Sequence, residues 1–192
     1  MSKETTFKTK DKLLVAFAII FIILIGYFWL SPSGLKVVPN LNLTTITGET
    51  IKLESLRGRP VLVTFWATSC SGCIKEMPHL IKIHNQYSQQ GLKIIGISMP
   101  YDRPDQVMKM ASQKKLPYTI AMDITKEAVK AFGNVQLTPT TFLIAPNGTI
   151  VRHKVGEFNT QVVSKHIEQL LASTSMQTKT SNLKPANDVR KN

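Results

Sequence analysis

Residues 61–79 read Val-Leu-Val-Thr-Phe-Trp-Ala-Thr-Ser-Cys-Ser-Gly-Cys-Ile-Lys-Glu-Met-Pro-His. The first six are apolar or β-branched, the pattern of a strand buried on both faces, and residues 67–69 make a polar break before a helical pattern starts. Cys70 and Cys73 follow that break and are the only two cysteines of the chain. Two sulfurs separated by two residues, where a strand hands over to a helix N-terminus, suit reversible dithiol chemistry. A structural staple is the poorer reading. A bridge closing a loop of about four residues stabilises by only ~2 kcal/mol in the chain-entropy model. A domain of about 140 residues buries enough surface to fold without one.

Upstream, residues 13–30 are eighteen in a row without a charge. As a helix they reach ~27 Å, close to the ~30 Å of a bilayer core. Tyr27 and Trp29 stand at one end as interfacial anchors, and Lys3, Lys8, Lys10 and Lys12 precede the stretch. The positive-inside rule then keeps residues 1–12 cytoplasmic and places the rest outside. The stretch exceeds the usual apolar region of a cleaved signal, so it reads as a retained single-pass anchor in the cell inner membrane. The domain behind it faces an oxidising compartment, periplasmic or otherwise extracytoplasmic, where a dithiol stays reduced only with an electron supply. The formal net charge is +12, part of it carried by the two termini. No basic cluster with interleaved aromatics accompanies it, which argues against nucleic acid and leaves attraction to an anionic membrane surface as the less disfavoured reading of the charge.

Residues 31–40 read as a linker, residues 41–53 around Thr47-Gly48-Glu49 as a β-hairpin, and residues 53–57 as a helical turn ended by Gly58. After the strand at 61–66, a helix over 71–89 should turn Ile74, Met77, Leu80, Ile81 and Ile83 or His84 to one buried face and bend at Pro78. Residues 92–98 form a second buried strand. Residues 104–115 form an amphipathic helix with Val107, Met108 and Ala111 inward, 118–122 a short extended piece, and 125–132 a helix stopped by Gly133. Strands alternating with helices predict a parallel start to the sheet, and strands 140–145 and 149–155 around Pro146-Asn147-Gly148 predict an antiparallel end. A last helix over 160–172 should turn Val162, Val163, Ile167, Leu170 and Leu171 inward. Residues 173–192 read as a disordered tail. The chain is thus an α/β domain at 41–172, a central mixed sheet flanked by helices, with appendages at both ends.

A helix beginning near Cys70 offers unpaired backbone N–H groups and the positive end of its dipole, and both stabilise a thiolate. A fall in pKa from ~8.5 to ~7 would raise the thiolate fraction at neutral pH from about 3% to about half. Cys70 is therefore the nucleophile. Cys73, one turn further in, is the resolving thiol that releases a mixed disulfide. Resolution needs a proton acceptor, and Glu76 lies three residues on along the same helix face. It reads equally well as a solvated carboxylate paired with Lys75 or Lys82. Thr138-Pro139 stands directly before the strand at 140–145. Proline there keeps a sheet edge open, leaving the backbone of Thr138 to pair with an extended substrate, whichever isomer the bond adopts.

Phe65-Trp66-Ala67-Thr68-Ser69-Cys70-x-x-Cys73-x-x-Glu76-x-Pro78, followed by Thr138-Pro139-Thr140-Thr141-Phe142-Leu143-Ile144 and Pro146-Asn147-Gly148, resembles the membrane-anchored TlpA/ResA group of thioredoxin-like proteins. The resemblance covers roughly residues 35–172. It implies a thioredoxin-like fold with an added N-terminal hairpin and an inserted helix, attack by Cys70, resolution by Cys73, and a buried proton acceptor at Glu76. It further implies a cis peptide before Pro139 and a site lined by Trp66. No cofactor beyond the redox-active disulfide and no metal is implied. The electron donor would be a membrane thiol transporter of the DsbD or CcdA type. The substrate would be an oxidised exported protein, with the haem-site cysteines of an apocytochrome c as one example in cytochrome c biogenesis. The chain departs from the group's pattern at Ser69, where Trp is common, and at Gly72, where Pro is frequent.

Two other activities share this fold. A peroxiredoxin-like peroxidase needs Thr a turn before a lone peroxidatic cysteine, usually with an earlier Pro, and residues 65–70 lack that Pro and spacing. Copper delivery would pair the two cysteines with a distant histidine, for which His153 is the candidate, but such sites usually place three residues between the cysteines.

Overall fold

The strand that opens the cysteine turn, β3 (Val61–Trp66), is buried along its whole length. In the computed structural model it occupies the interior of a seven-stranded sheet. Residues 17, 19–22 and 37–181 are described, with side chains to 175. The elements in chain order are β1 (Asn42–Thr45), β2 (Thr50–Lys52), β3, α1 (Ser71–Tyr87), β4 (Lys93–Ser98) and α2 (Pro104–Gln113). They continue with β5 (Thr119–Met122), α3 (Glu127–Ala131), β6 (Thr140–Ile144), β7 (Ile150–Val155) and α4 (Thr160–Ser181).

β3 pairs in parallel with β4, and β4 with β5, while β6 and β7 close the other side antiparallel. The N-terminal hairpin adds to the far edge through an antiparallel β1–β5 pairing. The fold is a thioredoxin-like α/β fold with a mixed sheet and helices, in agreement with the sequence pattern. Because successive side chains of a strand point to opposite faces, β3 feeds two cores. Val61, Val63 and Phe65 pack with Ile95, Ile97, Phe142 and the α3 residues Ala128 and Val129. Leu62 and Trp66 pack with Ile94, Leu143 and the helices α1, α2 and α4 on the other side. Inside the sheet the Thr141 hydroxyl donates to the Thr64 hydroxyl at 3.1 Å, so neither buried oxygen is orphaned.

Several expectations are corrected. Met108 is 44% exposed, because the buried seam of α2 runs through Val107 and Ala111, with Met110 beside them, and leaves Met108 on the outer face. Val162 is likewise 45% exposed while Ile167 is fully buried. The final helix continues past Ala172 to Ser181, so the expected disordered tail begins as helix. The linker expected over 31–40 ends earlier, since Val37 bridges Thr149 and the Val38 N–H donates to Gly148 O at 2.9 Å. The chain divides into units of residues 1–34 and 35–192. Most of the anchor expected at 13–30 lies outside the described residues. Among the described residues, no helix is long and apolar enough to cross a membrane.

Candidate active site

The turn after β3 is held by a carboxylate from elsewhere in the chain. Asp102, in the loop after β4, accepts from Thr68 N at 2.8 Å and from Thr68 Oγ1 at 2.9 Å. Cys70 N–H then donates to Ala67 O at 3.1 Å, and Cys70 becomes the N-cap of α1 with extended backbone angles. Its sulfur accepts from Cys73 N at 3.1 Å and is bonded to Cys73 Sγ, with S–S 2.09 Å and Cα–Cα 5.3 Å. Cys70 is half-buried, whereas Cys73 is buried against Met77 and Trp66. This is the asymmetry a dithiol exchange requires, with one sulfur reachable and one shielded. Asp102→Ala should destabilise the fold by about 2 kcal/mol, because two bonds to a charged acceptor are lost and the Thr68 N–H is left unpaired. Urea unfolding of the two proteins measures this.

Glu76 is 3% exposed and lies on the inward seam of α1 with Cys73, Met77 and Leu80. Its Oε1 accepts from the backbone N–H of Phe158 at 2.9 Å. Among the described residues the one ion pair is Arg103–Asp105, so the pairing of Glu76 with Lys75 or Lys82 is set aside. Burial pushes the Glu76 carboxyl up to about 7; the Phe158 bond opposes the rise and the negative charge of Glu157 adds to it. A carboxyl in that range can take or give a proton near neutral pH. Burial, followed by the charge of Glu76, also pushes the Tyr118 phenol upward.

The Thr138-Pro139 peptide bond is cis, as the resemblance implies. Pro139 O accepts from Gly156 N at 2.8 Å, while Thr138, half-buried, has no hydrogen-bond partner for its backbone N–H or carbonyl among the described residues. The Pro139 ring faces the dithiol turn: a Cβ added at Gly72 would lie 3.5 Å from Pro139 Cδ. Cys70, Cys73, Glu76, Thr138 and Pro139 therefore converge. Trp66 does not present itself as expected. It is 3% exposed and packs beneath the site in the helix-side core, where its Nε1 has no hydrogen-bond partner among the described residues and a Cβ at Gly96 would approach it to 3.2 Å. It supports the turn from below without offering surface to a substrate.

His153, the histidine weighed for copper, stacks on Phe142 with centroids 4.4 Å apart and an interplanar angle of 5°. Among the described residues, no group of three histidine, cysteine or acidic side chains is placed to hold a metal ion. Sequence reasoning missed Asp102, Tyr118 and the segment 156–158. Asp102 reads locally as part of a helix start, and only Gly156 marks the segment at all.

Residues 35–153 match the model of the AhpC/TSA family. The thiol-disulfide oxidoreductase ResA of Bacillus thuringiensis subsp. konkukian is 30% identical over 136 residues, 70% of this chain and 77% of that protein. ResA of Halalkalibacterium halodurans is 33% identical over 130 residues, 67% of this chain and 72% of that protein. A solution structure of a candidate thioredoxin from Neisseria meningitidis superposes with a TM-score of 0.68 at 30% identity, covering 74% of this chain and 94% of that one. The bonded cysteine pair at a helix N-terminus, on this fold and among these relatives, leads to one conclusion: the chain belongs to the AhpC/TSA family and is a thiol-disulfide oxidoreductase, similar to ResA.

Proposed function

We propose that this oxidoreductase acts as a disulfide reductase on exported proteins, tethered by residues 13–30 with its N-terminus cytoplasmic and its catalytic domain in the periplasm or its extracytoplasmic equivalent. The observation that carries the reading is the buried Glu76 carboxyl, one helical turn beyond Cys73 and poised near neutral pH. In the reduced enzyme the Cys70 thiolate attacks one sulfur of a client disulfide. The client S–S bond breaks, and its other sulfur leaves as a thiolate and is protonated. Glu76 takes the proton of Cys73, whose thiolate attacks Cys70 Sγ and expels the second client sulfur. Two electrons pass to the client, and the enzyme is left with the Cys70–Cys73 disulfide. A membrane dithiol transporter of the DsbD or CcdA type would reduce it again. The backbone of Thr138 beside Pro139, unpaired among the described residues, supports docking of an extended client segment. Apocytochrome c haem-site cysteines are a client class with suitable chemistry.

Cys73→Ala should accumulate a covalent adduct between Cys70 and the client that a reductant dissolves, because the resolving sulfur is gone. Cys70→Ala should accumulate none. If neither variant yields an adduct in cells while both are present and folded, the reductase reading fails.

A further inference from the structure

Three consecutive residues of the loop between β7 and α4 meet three separate parts of the site. Gly156 N–H donates to Pro139 O at 2.8 Å, and Phe158 N–H donates to Glu76 Oε1 at 2.9 Å. Between them, Glu157 lays its carboxylate against Gly72, in the turn that separates the two sulfurs: a Cβ added there would lie 3.2 Å from Glu157 Oε1. The two backbone bonds fix the loop on either side of Glu157, and glycine at 72 leaves room for its carboxylate. The departure noted in the dipeptide between the cysteines thus has a structural counterpart 85 positions along the chain.

We propose that Glu157 is a positioning residue whose negative charge sets the proton affinity of the dithiol and of Glu76 during disulfide exchange. The inference rests on the reading of Cys70 as the attacking thiol. Reduction of the Cys70–Cys73 disulfide takes up two electrons and two protons when both sulfurs end as thiols. The N-terminus of α1 favours losing one of those protons, and an anion beside Gly72 opposes the loss. The charge of Glu157 is also among the influences that raise Glu76. The other ionisable groups near the turn are Tyr118 beside Glu76, Asp102 bonded to Thr68, the exposed Lys75 on α1, and Lys109 of α2, which lines the groove at Ser69. Glu157 is itself exposed, so solvent limits its reach to a change of about threefold in thiolate population.

The test compares the reduced full-length chain in detergent with its Glu157→Asp, Glu157→Gln and Glu157→Lys variants, following Cys70 alkylation by iodoacetamide from about pH 4 to about pH 9, with the modified sulfur mapped by mass spectrometry. Glu157→Asp should retain the wild-type midpoint. Glu157→Gln should react about threefold faster near pH 6.5, Glu157→Lys faster still, and the differences should shrink in about 1 M salt. Superimposable profiles for all four proteins, with Cys70 reactive in each, would overturn the role of Glu157. A wild-type Cys70 inert across the whole range would instead overturn the thiol-nucleophile reading beneath it.

Discussion

Glu76→Gln is expected to slow release of the mixed disulfide by about 10²- to 10³-fold while making the folded chain more stable at alkaline pH. Glutamine keeps an oxygen for the Phe158 N–H and nearly the same volume, so the packing around Met77 and Leu80 is preserved. It cannot accept a proton from Cys73, so resolution loses the rise through about pH 7 that the wild-type carboxyl imposes. The stability effect follows from the same shift. The carboxyl is raised from 4.5 to about 7 on folding, so the folded state binds the proton more tightly than the unfolded chain does. Stability from this group is present in full below about pH 4.5 and is lost as pH climbs to about 7, with a difference of about 3 kcal/mol across the window. Urea midpoints at about pH 4, 6 and 8 should fall across that range for the wild type relative to Glu76→Gln. Parallel midpoints with unimpaired resolution would show that Glu76 is neither strained nor used. A buried carboxyl that weakens the fold at working pH is what a proton-transfer site leads one to expect, since a purely structural position would favour the amide.

Phe142→Ala should destabilise the domain by about 3–5 kcal/mol, a large part of the 5–15 kcal/mol typical of a domain. Phe142 is fully buried in β6 and meets Phe132 at 5.0 Å and Phe65 at 6.1 Å, both in tilted or edge geometry, with His153 stacked on its other side. Phe65 comes from β3, Phe132 from the residue that caps α3 and Phe142 from β6, so truncating the middle ring leaves a cavity that no single side chain can relax to fill. A lower urea midpoint with an unchanged denaturant slope would confirm loss of packing alone. A loss below about 1 kcal/mol would mean the three rings repack around the gap.

Local patterning made most of the elements readable. Alternating and continuous apolar runs give β3, β4 and β6 within a residue of their ends, and the turn glycines, Gly48 and Gly148, give both hairpins. The misplaced side chains, Met108 and Val162, are apolar residues next to the true seam. A helical pattern cannot distinguish an inward residue from its neighbour 100° around the axis until the opposing surface is known. At the site, Cys70 and Cys73 were legible from their local spacing, whereas the acceptor role of Glu76 and the cis bond before Pro139 were implied only by the family resemblance, because spacing left both open. Asp102 and Glu157 were not legible, because each acts on the cysteine turn across the fold, and no local pattern carries such a contact. Trp66 was read as a lining residue, but its place at the end of a fully buried strand turns it under the site.

The site is completed by parts made late in synthesis. The Glu76 oxygen and the Phe158 amide that meets it are 82 residues apart in sequence. During synthesis the two cysteines leave the ribosome long before Pro139 and the loop at 156–158. In that interval β3 can pair with β4 but lacks β6 on its other edge, and Glu76 lacks the Phe158 amide that it meets in the finished fold. A nascent chain would therefore carry two cysteines that can be oxidised but no working proton acceptor, and catalytic competence would arrive in one late step when β6, β7 and the closing loop dock.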